Sequence, residues 1–113
     1  MENEYEEITL ERNGQDPLVF RGKQIGFGSH RLPRTQHEFA SSRWTQATLF
    51  ETKEGKYILY SEHISLWQDE PTRRETRIYD SLTGVFEGFR QEYGMLTGYM
   101  EEIERQVSMV EGR

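Results

Sequence analysis

Residues 44–67, WTQATLFETKEGKYILYSEHISLW, predict a β-hairpin around which the rest of the chain can be arranged. The three residues Lys53-Glu54-Gly55 suit a type I turn whose last residue adopts a positive φ angle. Glycine takes that conformation without the Cβ clash of other residues. The segments on both sides are rich in Thr, Phe, Tyr, Ile and Trp, which favour strands. The segment therefore predicts two paired strands joined by this turn.

The predicted turn also sets the pairing register, with Phe50 opposite Ile58 and Thr48 opposite Tyr60. Because side chains alternate along a strand, the hairpin has two distinct faces. The first face is the better candidate for the core, and it carries Trp44, Phe50, Ile58, Tyr60, Ile64 and Leu66. The second face is too apolar to be fully solvated, so we expect loops or another chain to cover part of it. It carries Ala47, Leu49, Tyr57, Leu59 and His63.

The segments on either side of the hairpin predict three more strands and two helices. Weak alternation over residues 5–12, residues 18–27 and the polar run at 73–79 indicates strands. Gly22, Gly26 and Gly28 in the second of these indicate a bulge or the close approach of another backbone. Apolar residues then recur at helical spacing, first at Leu82, Val85, Phe86 and Phe89, and again at Leu96, Met100, Ile103, Val107 and Val110. We expect an α+β fold, with a five-stranded antiparallel meander followed by two C-terminal helices packed on one face.

The chain length of 113 residues predicts one domain, residues 1–113, with a frayed terminus at 1–4 and a long loop at 29–42. The sequence has no cysteine, which excludes disulfides and thiolate metal ligands. Its longest apolar runs fall well short of the ~20 residues that a transmembrane helix needs. The acidic N-terminus lacks the apolar region of a signal peptide. We therefore expect a cytoplasmic protein that does not bind membranes.

The residues that carry chemistry form no recognisable catalytic motif. His30, His37 and His63 lack metal-ligand spacing, and the chain has no nucleophile elbow or phosphate-binding glycine motif. We expect no metal, no cofactor and no catalytic residue. One enzymatic alternative is a metal-independent ribonuclease-like toxin, in which histidine is the base and arginine holds the phosphate. Its residues would come from His30, His63, Arg73, Arg74, Arg77 and Tyr79.

A basic segment predicts a second alternative, nucleic-acid binding. Residues 21–44 contain five bases and one acid, a net charge of +4, within a chain of net charge −6. Basic residues interleaved with aromatic ones can contact phosphates and stack on bases. The candidate contacts are Arg21, Lys23, Arg31, Arg34 and Arg43. A simpler interpretation is that this segment pairs with the acidic N-terminus.

The interpretation that we favour is a small non-enzymatic protein-interaction or assembly module, of the kind found as bacterial or phage accessory subunits and regulators. Apolar surface on both faces of a hairpin indicates an interface, either with a protein partner or in a homo-oligomer. Aromatic residues and Met are enriched in the centres of interfaces. The candidate interface residues are Trp44, Tyr57, Trp67, Tyr99 and Met100.

Overall fold

Five antiparallel strands form one curled sheet that is followed by two C-terminal helices, which confirms the predicted α+β arrangement. The computed structural model describes residues 5–29, 43–67, 69–95 and 98–111. The predicted frayed residues 1–4 and nearly all of the predicted loop at 29–42 lie outside these ranges. The strands pair in chain order, and the elements are β1 (Glu6–Arg12), β2 (Gln15–Ser29), β3 (Arg43–Thr52), β4 (Tyr57–Ser65), β5 (Arg73–Tyr79), α1 (Leu82–Tyr93) and α2 (Gly98–Glu111).

The hairpin of β3 and β4 has the predicted turn and the predicted register. Gly55 has a φ angle of 91°, and its N–H donates to Thr52 O over 3.0 Å. Phe50 pairs with Ile58, as the sequence predicts. The turn geometry thus determines which residues share a face of the sheet.

The two helices cover the second face of the hairpin, whereas the sequence favoured the first face as the core. Ala47, Leu49 and Leu59 are buried beneath the helices. The helical side chains that complete this core are Val85, Phe86, Phe89, Met100, Ile103 and Val107. The helices therefore supply the cover that we expected from loops or from another chain.

The centre of the first face is buried as well, because the sheet curls and its β1–β2 hairpin lies against Phe50, Ile58 and Tyr60. The side chains that reach this second core from β1 and β2 are Ile8, Leu10, Leu18 and Phe20. The hydroxyl of Tyr60 donates to Glu11 O over 2.8 Å. At the β1–β2 turn, Asn13 Oδ1 accepts the N–H of Arg74 in β5. These contacts stabilise the curled shape of the sheet. Each face of the sheet therefore contributes to its own core.

Strand β2 changes direction at a bulge between Gln24 and Gly26, and α2 packs against the strand beyond it. The Gln106 side chain of α2 forms hydrogen bonds with the backbone of β2, as a neighbouring strand would. Phe27 N–H donates to Gln106 Oε1, and Gln106 Nε2 donates to Phe27 O, each over 2.8 Å. A Cβ atom on Gly28 would lie 2.2 Å from Tyr99 O. The backbone that approaches β2 closely, as the glycines predict, is therefore the start of α2.

Both ends of α1 follow from the local sequence. The hydroxyl of Ser81 accepts the N–H of Gly84 over 3.0 Å, so Ser81 is the N-cap. Gly94 ends the helix with a φ angle of 84°, and its N–H donates to Arg90 O over 2.7 Å. The second helix, α2, packs against β2 and against the helix-side core.

Candidate functional site

Two large apolar side chains project from the loop between β4 and β5, residues 66–72, which we call the β4–β5 loop. Leu66 is 62% exposed and Trp67 is 44% exposed. The sequence placed Leu66 in the core face, and the structure corrects this because β4 ends at Ser65, before the alternation reaches it. Exposed apolar residues that lie together usually mark an interaction surface.

Hydrogen bonds within the β4–β5 loop hold these residues in place. The Ser65 hydroxyl donates to Glu70 Oε1 over 2.6 Å and accepts the N–H of Trp67 over 3.1 Å. The N–H of Glu70 in turn donates to Trp67 O over 3.2 Å. Side chains that hydrogen bonds already hold in place lose less conformational entropy when they bind a partner.

Arg43, from the start of β3, connects the loop to the sheet. Its Nε lies 2.6 Å from Glu70 Oε1, and its guanidinium carbon lies 5.5 Å from the centre of the Trp67 ring. The hydrogen bond from Arg43, and then that from Ser65, lowers the pKa of Glu70 below its usual value. This contribution to loop stability is present above the unfolded pKa of Glu, about 4.3, and is lost as the pH falls through the folded pKa.

A cavity of about 270 Å³ opens beside the loop at the same end of the sheet. Arg43, Glu70, Pro71 and Arg73 border it, together with Thr45 and His63 from one face of the hairpin and Trp44 and Ile64 from the other. Thr45 and His63 make their part of the border polar, and Thr45 Oγ1 lies 3.0 Å from His63 Nδ1. The Trp44 indole N–H donates to Gln46 Oε1 over 2.9 Å. The cavity thus lies at the end of the sheet, where residues from both faces of the hairpin border it.

The predicted interface residues lie in different parts of the structure. Trp44 and Trp67 lie at the same end of the sheet, Trp44 in β3 and Trp67 just after the end of β4. Tyr57 is at the other end of β4, eight residues from Ser65, which corresponds to about 26 Å along the strand. Its side chain packs against the helix-side core. Tyr99 is half-buried at the start of α2, where its ring contacts Phe89 edge-on. Met100 is fully buried in that core, so its side chain presents no surface to a partner.

The described members of the basic segment do not form one patch. Arg21 donates to Tyr5 O over 2.9 Å, and the Lys23 ammonium lies 3.8 Å from Glu51. These residues lie near the turn of the β3–β4 hairpin, whereas Arg43 is at the opposite end of β3, about 30 Å away. Arg31 and Arg34 lie outside the described residues. A nucleic-acid interface over the whole segment therefore stays a prediction.

The residues of the ribonuclease alternative are only partly assembled. His63 and Arg73 are opposite each other on neighbouring strands. Arg77, on the same face, is held by both carboxylate oxygens of Glu92. Arg74 points to the other face, where it pairs with Glu62 at 3.3 Å. His30 lies outside the described residues, so a catalytic site of this kind also stays a prediction.

Within the described ranges, no group of three or more acidic and histidine side chains is arranged to hold a metal ion. No helix in the same part of the chain is long and apolar enough to cross a bilayer. Comparison with protein-family models, with curated protein sequences and with solved structures finds no match to this chain.

Proposed function

We propose that this protein is a non-enzymatic protein-interaction module that binds its partner through the β4–β5 loop. The observation that carries this proposal is the exposure of Leu66 and Trp67 on a loop held by hydrogen bonds rather than by burial. An aromatic anchor beside an arginine is the composition typical of binding hot spots. Arg43 supplies that arginine, because its side chain lies against the Trp67 ring.

Replacing Trp67 with alanine is expected to weaken the complex by about 2 kcal/mol or more, a roughly 30-fold loss of affinity. The indole is the largest exposed group of the loop, and its removal leaves the fold intact because neither core contains it. The partner is first captured with the tagged chain, identified by mass spectrometry and purified, and then titrated by calorimetry. Met95→Ala is the matched control, since Met95 is also exposed but lies after α1. Equal affinity of the Trp67 variant and the parent chain would refute the proposed interface.

The salt dependence of the complex separates protein binding from nucleic-acid binding. Hydrophobic burial is not screened, so the complex should persist at about 0.5 M salt, where the Debye length is roughly 4 Å. Phosphate contacts would instead release counterions, each adding roughly 0.7–0.9 to the log–log salt slope. Replacing Arg31 and Arg34 with glutamate should leave most of the complex intact. Light scattering across a salt series, with and without nuclease, measures this. Dissociation on nuclease treatment would support the nucleic-acid alternative instead.

A further inference from the structure

We infer that the outer edge of β5 pairs with the same edge of a second copy of the chain, and that the Asn13 side chain keeps this edge partly closed. The sheet ends at β5, which pairs only with β4 among the strands that the structure describes. A strand at the edge of a sheet offers its outward N–H and C=O groups to another strand. This edge is separate from the β4–β5 loop, and its pairing does not depend on the partner proposed for that loop.

One hydrogen bond shows which backbone groups of β5 point outward. The Arg74 N–H donates to Asn13 Oδ1, so it points away from β4. Both backbone groups of a strand residue point to the same side, and that side alternates from one residue to the next. The N–H and C=O groups of Thr76 and Ile78 therefore also point outward. No hydrogen bond within the described ranges reaches them.

Asn13 closes only the first part of this edge. Besides accepting the Arg74 N–H, its side chain places Nδ2 3.5 Å from Thr72 O. The amide thus occupies backbone groups that an added strand would use. A cavity of about 190 Å³ opens between the β1–β2 turn and the edge at Thr76, so the edge is accessible there. Next to it, Ile78 is 59% exposed, and its branched side chain favours strands.

The sequence of β5 complements itself when two copies pair antiparallel about Thr76. Thr76 of one copy then lies opposite Thr76 of the other, and Arg74 lies opposite Ile78. Glu75 lies opposite Arg77 twice, once on each side of the two-fold axis. Threonine pairs and opposite charges stabilise antiparallel strands, and no like charges lie opposite each other in this register. Identical surfaces related by a two-fold axis form the commonest oligomers, which favours a second copy as the occupant.

The pairing competes with Asn13, because this register also uses the backbone of Arg74. Both copies have to release the Asn13 side chain before the full strands can pair. The seven residues of β5 are also few compared with the roughly 20–30 residues that each partner contributes to a standard interface. We therefore expect the parent chain to dimerise weakly, and the dimer to strengthen when the Asn13 amide is removed. One dimer would present two β4–β5 loops, at opposite ends of the paired strands.

The test compares Asn13→Gly with the parent chain by analytical ultracentrifugation, from about 10 µM to about 1 mM. Glycine removes the amide and suits the two-residue turn between Arg12 and Gln15. We expect at least about tenfold tighter self-association of this variant. Adding Thr76→Pro should abolish it, because proline lacks the N–H and is tolerated in edge strands where that N–H points outward. Thr76→Val is the matched control, since valine keeps the N–H and favours strands.

A charge reversal tests the register itself. Glu75→Lys places a lysine opposite Arg77 of the other copy, which should weaken self-association of the Asn13→Gly chain at least about fivefold. Glu54→Lys is the matched control, because Glu54 is an exposed residue of the β3–β4 turn and the change in net charge is the same. Hydrogen exchange locates the contact: the amides of Thr76 and Ile78 should exchange more slowly as the protein concentration rises.

An Asn13→Gly chain that stays monomeric over this range would overturn the inference and leave the β5 edge to a strand of another protein. Self-association that neither Thr76→Pro nor Glu75→Lys weakens would also overturn it, because the copies would then meet through another surface. Circular dichroism checks that each variant is folded. If Thr76→Pro is not, Glu75→Lys decides the outcome, since the Glu75 side chain is exposed. The proposed function fails separately, if the Trp67→Ala chain keeps its partner.

Discussion

Replacing Gly28 with valine is expected to destabilise the fold by about 3 kcal/mol or more, the upper end of the usual cost of overpacking. A Cβ atom at this position would lie 2.2 Å from Tyr99 O and 2.9 Å from Tyr99 C. Both are backbone atoms, so a side-chain rotation cannot relieve the overlap and the start of α2 has to move. That movement would disturb the two hydrogen bonds between Gln106 and Phe27.

Urea denaturation followed by circular dichroism measures the loss of stability. Gln24→Val is the matched control, because Gln24 is an exposed residue of the same strand and valine favours strands there. Hydrogen exchange adds a local readout. In the parent chain the Phe27 N–H donates to Gln106 Oε1, so displacement of α2 should speed the exchange of that amide. An unchanged unfolding midpoint in the Gly28 variant would mean that α2 does not lie this close to β2.

Local sequence signals predicted the elements of this fold well, because each depends on neighbouring residues. The turn at Gly55 set the register of β3 and β4, and the helical spacing of Val85 and Phe86 located α1. The glycines of β2 correctly indicated the close approach of another backbone. Such signals depend on a φ angle or a periodicity, and both are properties of short segments.

The side of the sheet that the helices cover was not predictable from the hairpin alone. Both faces are apolar, with Phe50 and Ile58 on one and Leu49 and Leu59 on the other. Periodicity identifies a face but does not say what lies against it. The bulge in β2 and the curl that brings Asn13 to Arg74 decide the outcome, and both depend on contacts between residues far apart in the chain.

The arrangement of the candidate site depends on such long-range contacts as well. The sequence names Trp44 and Trp67 among the interface candidates, and both lie at the same end of the sheet, Trp44 in β3 and Trp67 just after the end of β4. The sequence predicts Arg43 as a phosphate contact, and it gives no sign that Arg43 pairs with Glu70, 27 positions away. That pair forms because the fold brings the start of β3 next to the β4–β5 loop. The local sequence signal for the loop is the polar run Gln68-Asp69-Glu70-Pro71, which directly follows Leu66 and Trp67.

Replacing Phe86 with alanine is expected to cost about 3–5 kcal/mol, the range observed when a buried aromatic side chain is truncated. Phe86 is 6% exposed, and it lies in the helix-side core with Val85 and Phe89. It also borders the groove between α1 and α2 next to Val107, so the truncation weakens the packing of both helices.

Because small domains are stable by only about 5–15 kcal/mol, a loss of this size should lower the unfolding midpoint steeply or leave the chain unfolded. Phe27→Ala is the matched control: Phe27 is 38% exposed and belongs to neither core, so its truncation should cost about 1 kcal/mol or less. Thermal and urea unfolding of the two variants beside the parent chain give the comparison. If both phenylalanine variants lose the same small amount of stability, the helices do not cover the Leu49 face of the sheet. Because the helices cover that face, the centre of the sheet offers a partner no apolar surface on the helix side, whereas Leu66 and Trp67 of the β4–β5 loop stay exposed.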